Sequence, residues 1–323
     1  MSLLCKNEQT CLKKRRLCRQ LKLTVVALMI IFVGGCAVTP KTLSIKDKPI
    51  RLMENTILKT ATSSVVSREQ LINDLADAGV VYVGEAHTNP SHHALQLEVI
   101  KALAQTTDHL AIGMEMFDHT YQPVLDQWTA GELDSTTFIA KTHWYANWRF
   151  DFDLYRDVLE FAKEKGLRVI GLNVPFYIPS RIRVGGLASL SEADRMHLPD
   201  IIDTTDANHR AYLEEIFNLH AFSGRDTFDF FYEAQCTWED AMAEAVAKNM
   251  GSGKMVVLAG NGHIIRKFGI PDRAFARSHA PFKTIYLVPV GGEAELSWAD
   301  YLWVTPDLPM SHNAIMGSVK KKN

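Results

Sequence analysis

Five short apolar runs, separated by longer amphipathic segments, constrain the fold of this chain more than any other feature. They span residues 80–83, 110–116, 168–173, 255–259 and 284–290. Each run has the length of a strand, and most positions in it are apolar, as in a strand buried on both faces. Strands that alternate with helices are typical of a parallel sheet covered by helices. We therefore predict an α/β fold with a mostly parallel sheet flanked by helices.

The segments between these runs carry apolar residues at helical spacing, which predicts helices at residues 68–78, 90–105 and 153–165. Asn89 and Pro90 are a suitable N-cap and first residue for the second helix. Strand patterns are absent between residues 187 and 250, where we predict several helices. In chain order, the predicted domains are an α/β domain at 61–186 and 251–307, a smaller all-helical insertion domain at 187–250, and a tail at 308–323.

The N-terminal segment has the pattern of a bacterial export signal. Residues 13–22 are strongly basic, and residues 23–33 form an apolar run too short for a transmembrane helix. The run ends in the sequence VGGC, which resembles a lipobox, so we predict a signal peptide at 1–35 and a lipid, such as one with palmitate chains, on Cys36. A polar tether is expected at 36–60, and Ala37 indicates the outer membrane of a Gram-negative host. An uncleaved anchor would also place the domain outside the inner membrane.

Composition and charge narrow the class of protein. Hydrophobic residues make up 47% of the chain and charged residues 22%, as in ordinary globular proteins. The formal net charge is −2, and removal of the basic signal would leave a more acidic domain, which argues against nucleic acid as a partner. Only Cys36 and Cys236 would remain after cleavage, so no disulfide framework is expected within a lipidated monomer.

Polar side chains stand at the carboxyl ends of four predicted strands. Glu85 and His87 follow the first strand, Glu115 lies one residue before the end of the second, Asn173 ends the third, and His263 follows the fourth. The carboxyl ends of parallel strands meet at one edge of a sheet, where such folds bind ligands. Burying several ionisable groups together costs free energy unless they pair or hold a ligand. The sequence therefore predicts a functional site at this edge.

Two kinds of chemistry suit these residues. Histidine with carboxylate favours a divalent metal, for which the candidate ligands are His87, His93, His263 and Glu115. Glu85 or Glu115 is also a candidate general base. Neither an HExxH nor a CxxC motif is present. His92 and His93 are neighbours in the first turn of a helix, so only one of them is expected to point inward.

Aromatic residues are concentrated in two stretches. Residues 143–150, which include Tyr145, are interpreted first as loop aromatics that pack on the core and second as a ligand cradle. In the predicted insertion, His209, Tyr212 and Tyr232 lie among several phenylalanines. A helical lid of this composition suits a flat apolar ligand as well as it suits a core.

Several of these motifs occur together and in a familiar order. The runs GEAHTNPSHH, GMEMF, LNVP, YEAQCTWEDAMA and AGNGHIIRKFGIPDR, within residues 65–290, resemble those of the ChaN-like haem-binding lipoproteins. That family is similar to a wider group with the erythromycin esterases and the TIKI and PrgY proteins, which shares a GExH and a GxxH element. Here those elements are residues 84–87 and 260–263.

The resemblance implies an iron-regulated outer-membrane lipoprotein that forms a homodimer around a pair of stacked haems. It implies a tyrosine axial ligand, because phenolate oxygen suits ferric iron, and a histidine of the partner subunit near the haem. An outer-membrane haem receptor is a possible partner. No motif identifies the tyrosine; Tyr212, with His209 one helical turn before it, is our prediction, and Tyr232 and Tyr145 stay open.

Two functions therefore remain at this point. The first is haem binding in bacterial iron acquisition, without turnover. The second is a metal-dependent hydrolase, a peptidase or esterase, with Glu85, His87, Glu115 and His263 as the catalytic residues, as the wider group implies. A structural lipoprotein whose strand-end cluster has lost its ligand is a third possibility.

Overall fold

The structure is a computed structural model that describes residues 40–219, 227–251 and 253–307. The predicted signal peptide, Cys36 and the tail at 308–323 lie outside them. The described elements all belong to the unit that begins at Thr42. The strands are β1 (Leu43–Ile45), β2 (Arg51–Leu52), β3 (Ile57–Lys59), β4 (Ser64–Val66), β5 (Val80–Glu85), β6 (Leu110–Asp118), β7 (Arg168–Asn173), β8 (Lys254–Gly260), β9 (Phe282–Pro289), β10 (Glu293–Ala294) and β11 (Tyr301–Thr305).

Helices and short 3-10 turns connect the strands. The α-helices are α1 (Arg68–Leu75), α2 (Pro90–Leu103), α3 (Gln122–Thr129), α4 (Ser135–Lys141), α5 (Trp144–Asn147), α6 (Asp153–Lys165), α7 (Tyr177–Gly185), α8 (Glu192–Arg195), α9 (Ala207–Leu219), α10 (Phe228–Asn249) and α11 (Ile270–Ser278). Asn89 caps α2 and accepts a hydrogen bond from the N–H of Ser91, with Pro90 at the first position. In the described part of the chain, none of these helices is long and apolar enough to cross a membrane.

The main sheet has eight strands in the order β4-β3-β11-β9-β5-β8-β6-β7. The six strands from β11 to β7 are parallel, whereas β3 pairs antiparallel with both β11 and β4. The five predicted strands are all present in the parallel part. The predicted α/β class with a mostly parallel sheet is confirmed.

Helices cover both faces of the sheet. On one face Val81, Ile112 and Leu258 pack with the apolar sides of α2 and α6. On the other face Tyr82 and Val257 pack with residues of α10 and α11. With neither face exposed, the strands lose the alternation of a half-exposed sheet, which explains why they are continuous apolar runs in the sequence.

The prediction of a polar tether at 36–60 is wrong from residue 43 onward. Leu43, Ile45 and Leu52 are buried, and β1 pairs with β2 and β10 in a small three-stranded sheet. Farther along, β3 belongs to the main sheet. Strands of two or three residues, separated by lysine, proline and aspartate, are too short to produce a recognisable period, and their polar flanks resemble a linker.

The helical segment predicted as an insertion is joined to the sheet through α10. Met242 and Val246, in the second half of α10, pack on the sheet. In its first half, Tyr232 and Cys236 instead pack on Leu213 of α9. The assignment of residues 187–250 to a separate domain stays a prediction.

Candidate functional site

The ends of β5, β6 and β8 bring the predicted polar side chains to one edge of the sheet. Glu85 is the last residue of β5, and its Oε1 lies 2.7 Å from Nδ1 of His87. Glu115 of β6 accepts a hydrogen bond of 2.6 Å from the backbone N–H of Gly260. His263, in the 3-10 turn after β8, has Nε2 3.4 Å from Oε1 of Glu115. Two histidine–carboxylate pairs therefore share this edge.

Glu85 is a fully engaged carboxylate rather than a free base. It is buried and accepts hydrogen bonds from the Tyr155 hydroxyl at 2.6 Å and from Nε2 of Gln96 at 2.8 Å, besides its contact with His87. Burial alone raises its pKa, but the charge of His93 and the hydrogen bonds from His87 and Tyr155 outweigh it and give a pKa of about 2. Glu85 is therefore ionised at neutral pH and orients His87.

His87 is the member of this pair that reaches solvent, with 28% of its side chain exposed. Burial lowers its pKa, but the hydrogen bond to Glu85 and the charge of Glu115 raise it further, so the net shift is upward. Its ring packs against Trp148 and Phe150, with centroids 4.8 Å and 5.0 Å away. The first interpretation of the aromatic stretch, packing, holds for these two rings, which fix the imidazole in place.

His263 lies between two buried carboxylates. Besides Glu115, its Nδ1 is 3.4 Å from Oε1 of Glu239, a residue of α10. Burial lowers the pKa of His263, but the charges and hydrogen bonds of Glu115 and Glu239 outweigh it and raise the pKa to about 10. Burial likewise raises the pKa of Glu239, and the charge of His209 with the contacts of His263 gives a net lowering. His263 is thus an imidazolium at neutral pH.

We expect the stabilisation from His263 to fade at alkaline pH. Its folded-state pKa is raised, so its contribution is complete below the unfolded value of about 6.5 and is lost as the pH rises through about 10. The difference in unfolding free energy between the wild type and His263→Gln should therefore narrow over this range, measured by urea unfolding at several pH values. The exposed His109→Gln is the control, and a gap that stays constant with pH would contradict the assignment.

The charged cluster continues away from the solvent through α10 and α11. Nε2 of His209 lies 3.3 Å from Oε2 of Glu239, and Arg273 pairs with Asp240. His209 is 1% exposed, and burial lowers its pKa. Helix packing turns this side of α9 toward the Glu239 carboxylate rather than toward solvent. A role of His209 in cofactor binding stays a prediction.

A cleft of about 480 Å³ opens beside the strand-end histidines. Tyr212 of α9 lies in its wall, half-buried, with the Arg266 guanidinium 5.6 Å from the centroid of its ring. Burial raises the pKa of Tyr212, and the charge of Arg266 opposes this rise. The lining residues are Glu85, Ala86, His87, Tyr212, Leu213, Ile216, Phe231, Gln235, Gly260, Asn261, Gly262, His263 and Tyr286. The cleft thus has polar groups at the strand ends and apolar side chains on the helices.

The two alternative tyrosines lie elsewhere. Tyr232 is 1% exposed, and its hydroxyl donates to the backbone oxygen of Asp206 at 3.1 Å. Tyr145 is 48% exposed on α5 and is not among the residues that line the cleft. Of the three candidate tyrosines, the structure brings only Tyr212 to the strand-end histidines.

Both histidines at the start of α2 point inward, so the expectation that only one would do so is wrong. Nδ1 of His92 accepts a hydrogen bond from the N–H of Ala86, and Nε2 lies 3.2 Å from Oγ1 of Thr305. Nε2 of His93 lies 3.1 Å from the carbonyl oxygen of His87. Strand ends and the preceding loop surround this first turn, so two directions about 100° apart on the helix are both buried. Burial lowers the pKa of His92 to about 4.

The metal prediction finds no support in the geometry. Among the residues that the structure describes, no three His, Cys, Asp or Glu side chains are arranged to hold a metal ion. His93, one of the predicted ligands, lies behind Glu85, with its Nδ1 3.4 Å from that carboxylate. The contacts of His93 with Glu85 and with the His87 backbone thus hold its ring behind Glu85, and His93 is not among the residues that line the cleft.

Gly84 permits the close approach of β5 and the turn after β8. A Cβ there would stand 2.6 Å from Cδ1 of Ile264 and would overlap Oδ1 of Asn261. We expect Gly84→Ala to destabilise the fold by about 1–3 kcal/mol, as other overpacked sites do. Gly262→Ala in the same turn is the matched control, because a Cβ there meets no atom within 4 Å. Equal unfolding free energies of the two variants in urea would contradict this packing.

The chain is similar to a protein family and to proteins of known structure. A family model described as "Haem-binding uptake, Tiki superfamily, ChaN" matches residues 71–274. A solved structure described as "Cofacial heme binding to ChaN of Campylobacter jejuni" has a TM-score of 0.64 at 22% identity, covering 76% of this chain and 95% of that chain. An erythromycin esterase mutant in its open conformation has a TM-score of 0.45 at 14% identity, covering 73% and 76% of the two chains.

A curated relative comes from a plant. Protein RETICULATA-RELATED 5, chloroplastic, of Arabidopsis thaliana is 22% identical over 289 residues, which are 81% of this chain and 39% of that protein. The chain thus spans about two fifths of the length of this relative.

Proposed function

The chain belongs to the family described as "Haem-binding uptake, Tiki superfamily, ChaN", and from this premise we propose that it binds haem in the cleft at the strand ends. The observation that carries the proposal is the position of Tyr212. Its phenol lies in the wall of a cleft that also contains His87 and His263. Cofacial haem binding is described for the relative from Campylobacter jejuni.

The residues of the cleft fit a haem group. Leu213, Ile216 and Tyr286 supply apolar surface for a flat ring. The ligand, when bound, supplies a ferric iron, which a phenolate oxygen suits. Tyr212 would hold the iron, with the strand-end imidazoles as the nearby nitrogen donors. The donors and the apolar surface thus belong to one cleft.

Arg266 opposes the rise in the pKa of Tyr212 that burial causes. Its Nη2 donates to Glu295 at 2.7 Å, which holds the guanidinium near the phenol ring. Arg266 and Lys267 both have left-handed backbone conformations, with φ of 53° and 67°. Such conformations are costly for residues other than glycine, and they persist where the surrounding structure enforces them. The positive charge at this point favours the phenolate over the phenol.

We further propose that the protein is an outer-membrane lipoprotein that takes part in iron or haem acquisition. The support is the signal-like N-terminus and the lipobox-like sequence before Cys36. A homodimer around two haems is proposed from the cofacial arrangement named for the relative. An outer-membrane haem receptor is the expected partner.

A hydrolase remains the second candidate function. The observation in its favour is His87, a partly exposed imidazole oriented by Glu85 and placed in a cleft. Its raised pKa suits a general acid, whereas the lowered pKa values of Glu85 and Glu115 make them weak general bases. Hydrolysis of an ester or peptide substrate that is lost in Glu85→Ala, with the fold retained, would favour this function.

A hemin titration tests the proposed function. We expect a Soret band that grows until one haem is bound per chain, and a shift from monomer to dimer in size-exclusion chromatography. Hemin that elutes apart from the protein, with no saturable absorbance change, would refute haem binding. Saturable binding to a protein that stays monomeric would refute the dimer alone.

A further inference from the structure

A pair of histidines outside the cleft has the features of a small metal site. His119 lies in the 3-10 turn after β6, and His197 follows α8. Nε2 of His119 is 3.1 Å from Nδ1 of His197. Both residues line a second cavity, of about 280 Å³. Neither lines the proposed haem cleft.

The backbone fixes the orientation of one of these rings. Nδ1 of His119 donates a hydrogen bond of 3.2 Å to the carbonyl oxygen of Asn173. With the proton on Nδ1, the lone pair of Nε2 is directed toward His197. Histidines that bind metals commonly have this arrangement, because a carbonyl on the other ring nitrogen sets the tautomer and raises the basicity of the ligand atom.

We propose that Nε2 of His119 and Nδ1 of His197 bind a divalent transition metal of the Zn²⁺ or Cu²⁺ class. Two nitrogens, each about 2.0–2.1 Å from zinc, lie roughly 3 Å apart, which agrees with the observed 3.1 Å. Imidazole is a preferred ligand of both ions. An ion at that distance from both nitrogens lies off the line that joins them, so binding requires the two rings to turn slightly.

The surroundings of the pair leave room for further ligands. Glu244 and Met196 line the same cavity, and Met196 is 84% exposed. Lys248, the lysine in this cavity, has its ammonium 2.9 Å from the carboxylate of Glu244, so its charge is partly compensated. Because Lys248 already pairs with that carboxylate, water supplies the remaining ligands.

Metal binding at this place would link the turn after β6, which holds His119, to the helical segment that holds His197. His119 and His197 are 78 positions apart in the sequence, so a bound ion closes a long loop. An ion that binds the folded state more tightly than the unfolded chain raises the unfolding temperature. The site thus provides metal-dependent stabilisation independent of haem.

Copper and zinc alone are the probes for this site, used with the haem-free full chain. We expect one Cu²⁺ per chain with an electron paramagnetic resonance spectrum showing imidazole nitrogens, and Zn²⁺ binding by calorimetry that raises the melting temperature. His119→Gln and His197→Gln should each weaken binding at least about tenfold, the lower limit for the loss of a supporting contact in metal sites. His109→Gln, an exposed histidine elsewhere, is the matched control.

Two results would overturn the proposal. One is affinity that is unchanged in His119→Gln and His197→Gln, with circular dichroism showing that both variants are folded. The other is affinity that is lost in His87→Gln instead, which would assign the metal to the haem cleft. Hemin binding by these variants is measured separately, so failure of the metal site and failure of the proposed haem function are distinguishable.

Discussion

Tyr212→Phe is expected to bind hemin at least about 100-fold more weakly than the wild type, because a ligand atom contributes more than the supporting contacts whose loss costs 10- to 100-fold in metal sites. The substitution removes only the hydroxyl and keeps the ring that faces Arg266 and Phe268. The affinity is measured by absorbance titration, and any haem that remains bound should have a changed Soret band.

The other two tyrosines are the controls for this result. Tyr145→Phe changes an exposed phenol on α5, and Tyr232→Phe changes a buried one. Both should bind hemin with wild-type affinity and spectrum. Wild-type binding by Tyr212→Phe, together with loss of binding in either control, would move the iron ligand to that residue.

Arg273→Ala is expected to destabilise the protein by about 3–5 kcal/mol, the usual cost of removing one partner from a buried ion pair. Arg273 pairs with Asp240, and its Nε lies 3.6 Å from Glu239; both carboxylate side chains are fully buried. Without the guanidinium, Arg277 and His263 remain near these carboxylates but cannot replace both contacts. Urea unfolding measures the difference in free energy.

An exposed ion pair on the neighbouring helices gives the matched control. Arg210 of α9 pairs with Asp229 of α10, where 42% and 69% of the two side chains are exposed. Arg210→Ala should change stability by less than about 1 kcal/mol, as for other surface pairs. Similar losses in Arg273→Ala and Arg210→Ala would show that burial of the cluster is not what makes Arg273 important.

The sequence predicts the centre of this fold well and its borders poorly. Strands β5 to β9 are continuous apolar runs because helices cover both of their faces, and such runs are visible without a structure. The edge strands β1, β2 and β3 are two or three residues long, which is less than two periods of a strand pattern. β11 is not among the predicted strands. It is buried and apolar, but it follows directly after short polar turns near the end of the described chain.

The residues of the site likewise divide into those that the sequence predicts and those that it does not. Glu85, Glu115 and His263 could be predicted because each lies near the end of an apolar run or just after it, and parallel topology then places the run ends together. Glu239 was not predicted, although its helix was. Its role depends on which side of α10 faces the sheet. In the same way, the side of the helix on which each tyrosine lies decides that Tyr232 is buried whereas Tyr212 lines the cleft. Helical spacing alone does not decide which partner a given side of a lid helix meets.

The most direct test of the central claim is anomalous diffraction at the iron edge from crystals of the hemin-loaded protein. The iron peak is predicted within coordination distance of the Tyr212 hydroxyl, in the cleft that holds His87 and His263. An iron peak remote from α9 and from the strand ends would contradict haem binding at this site.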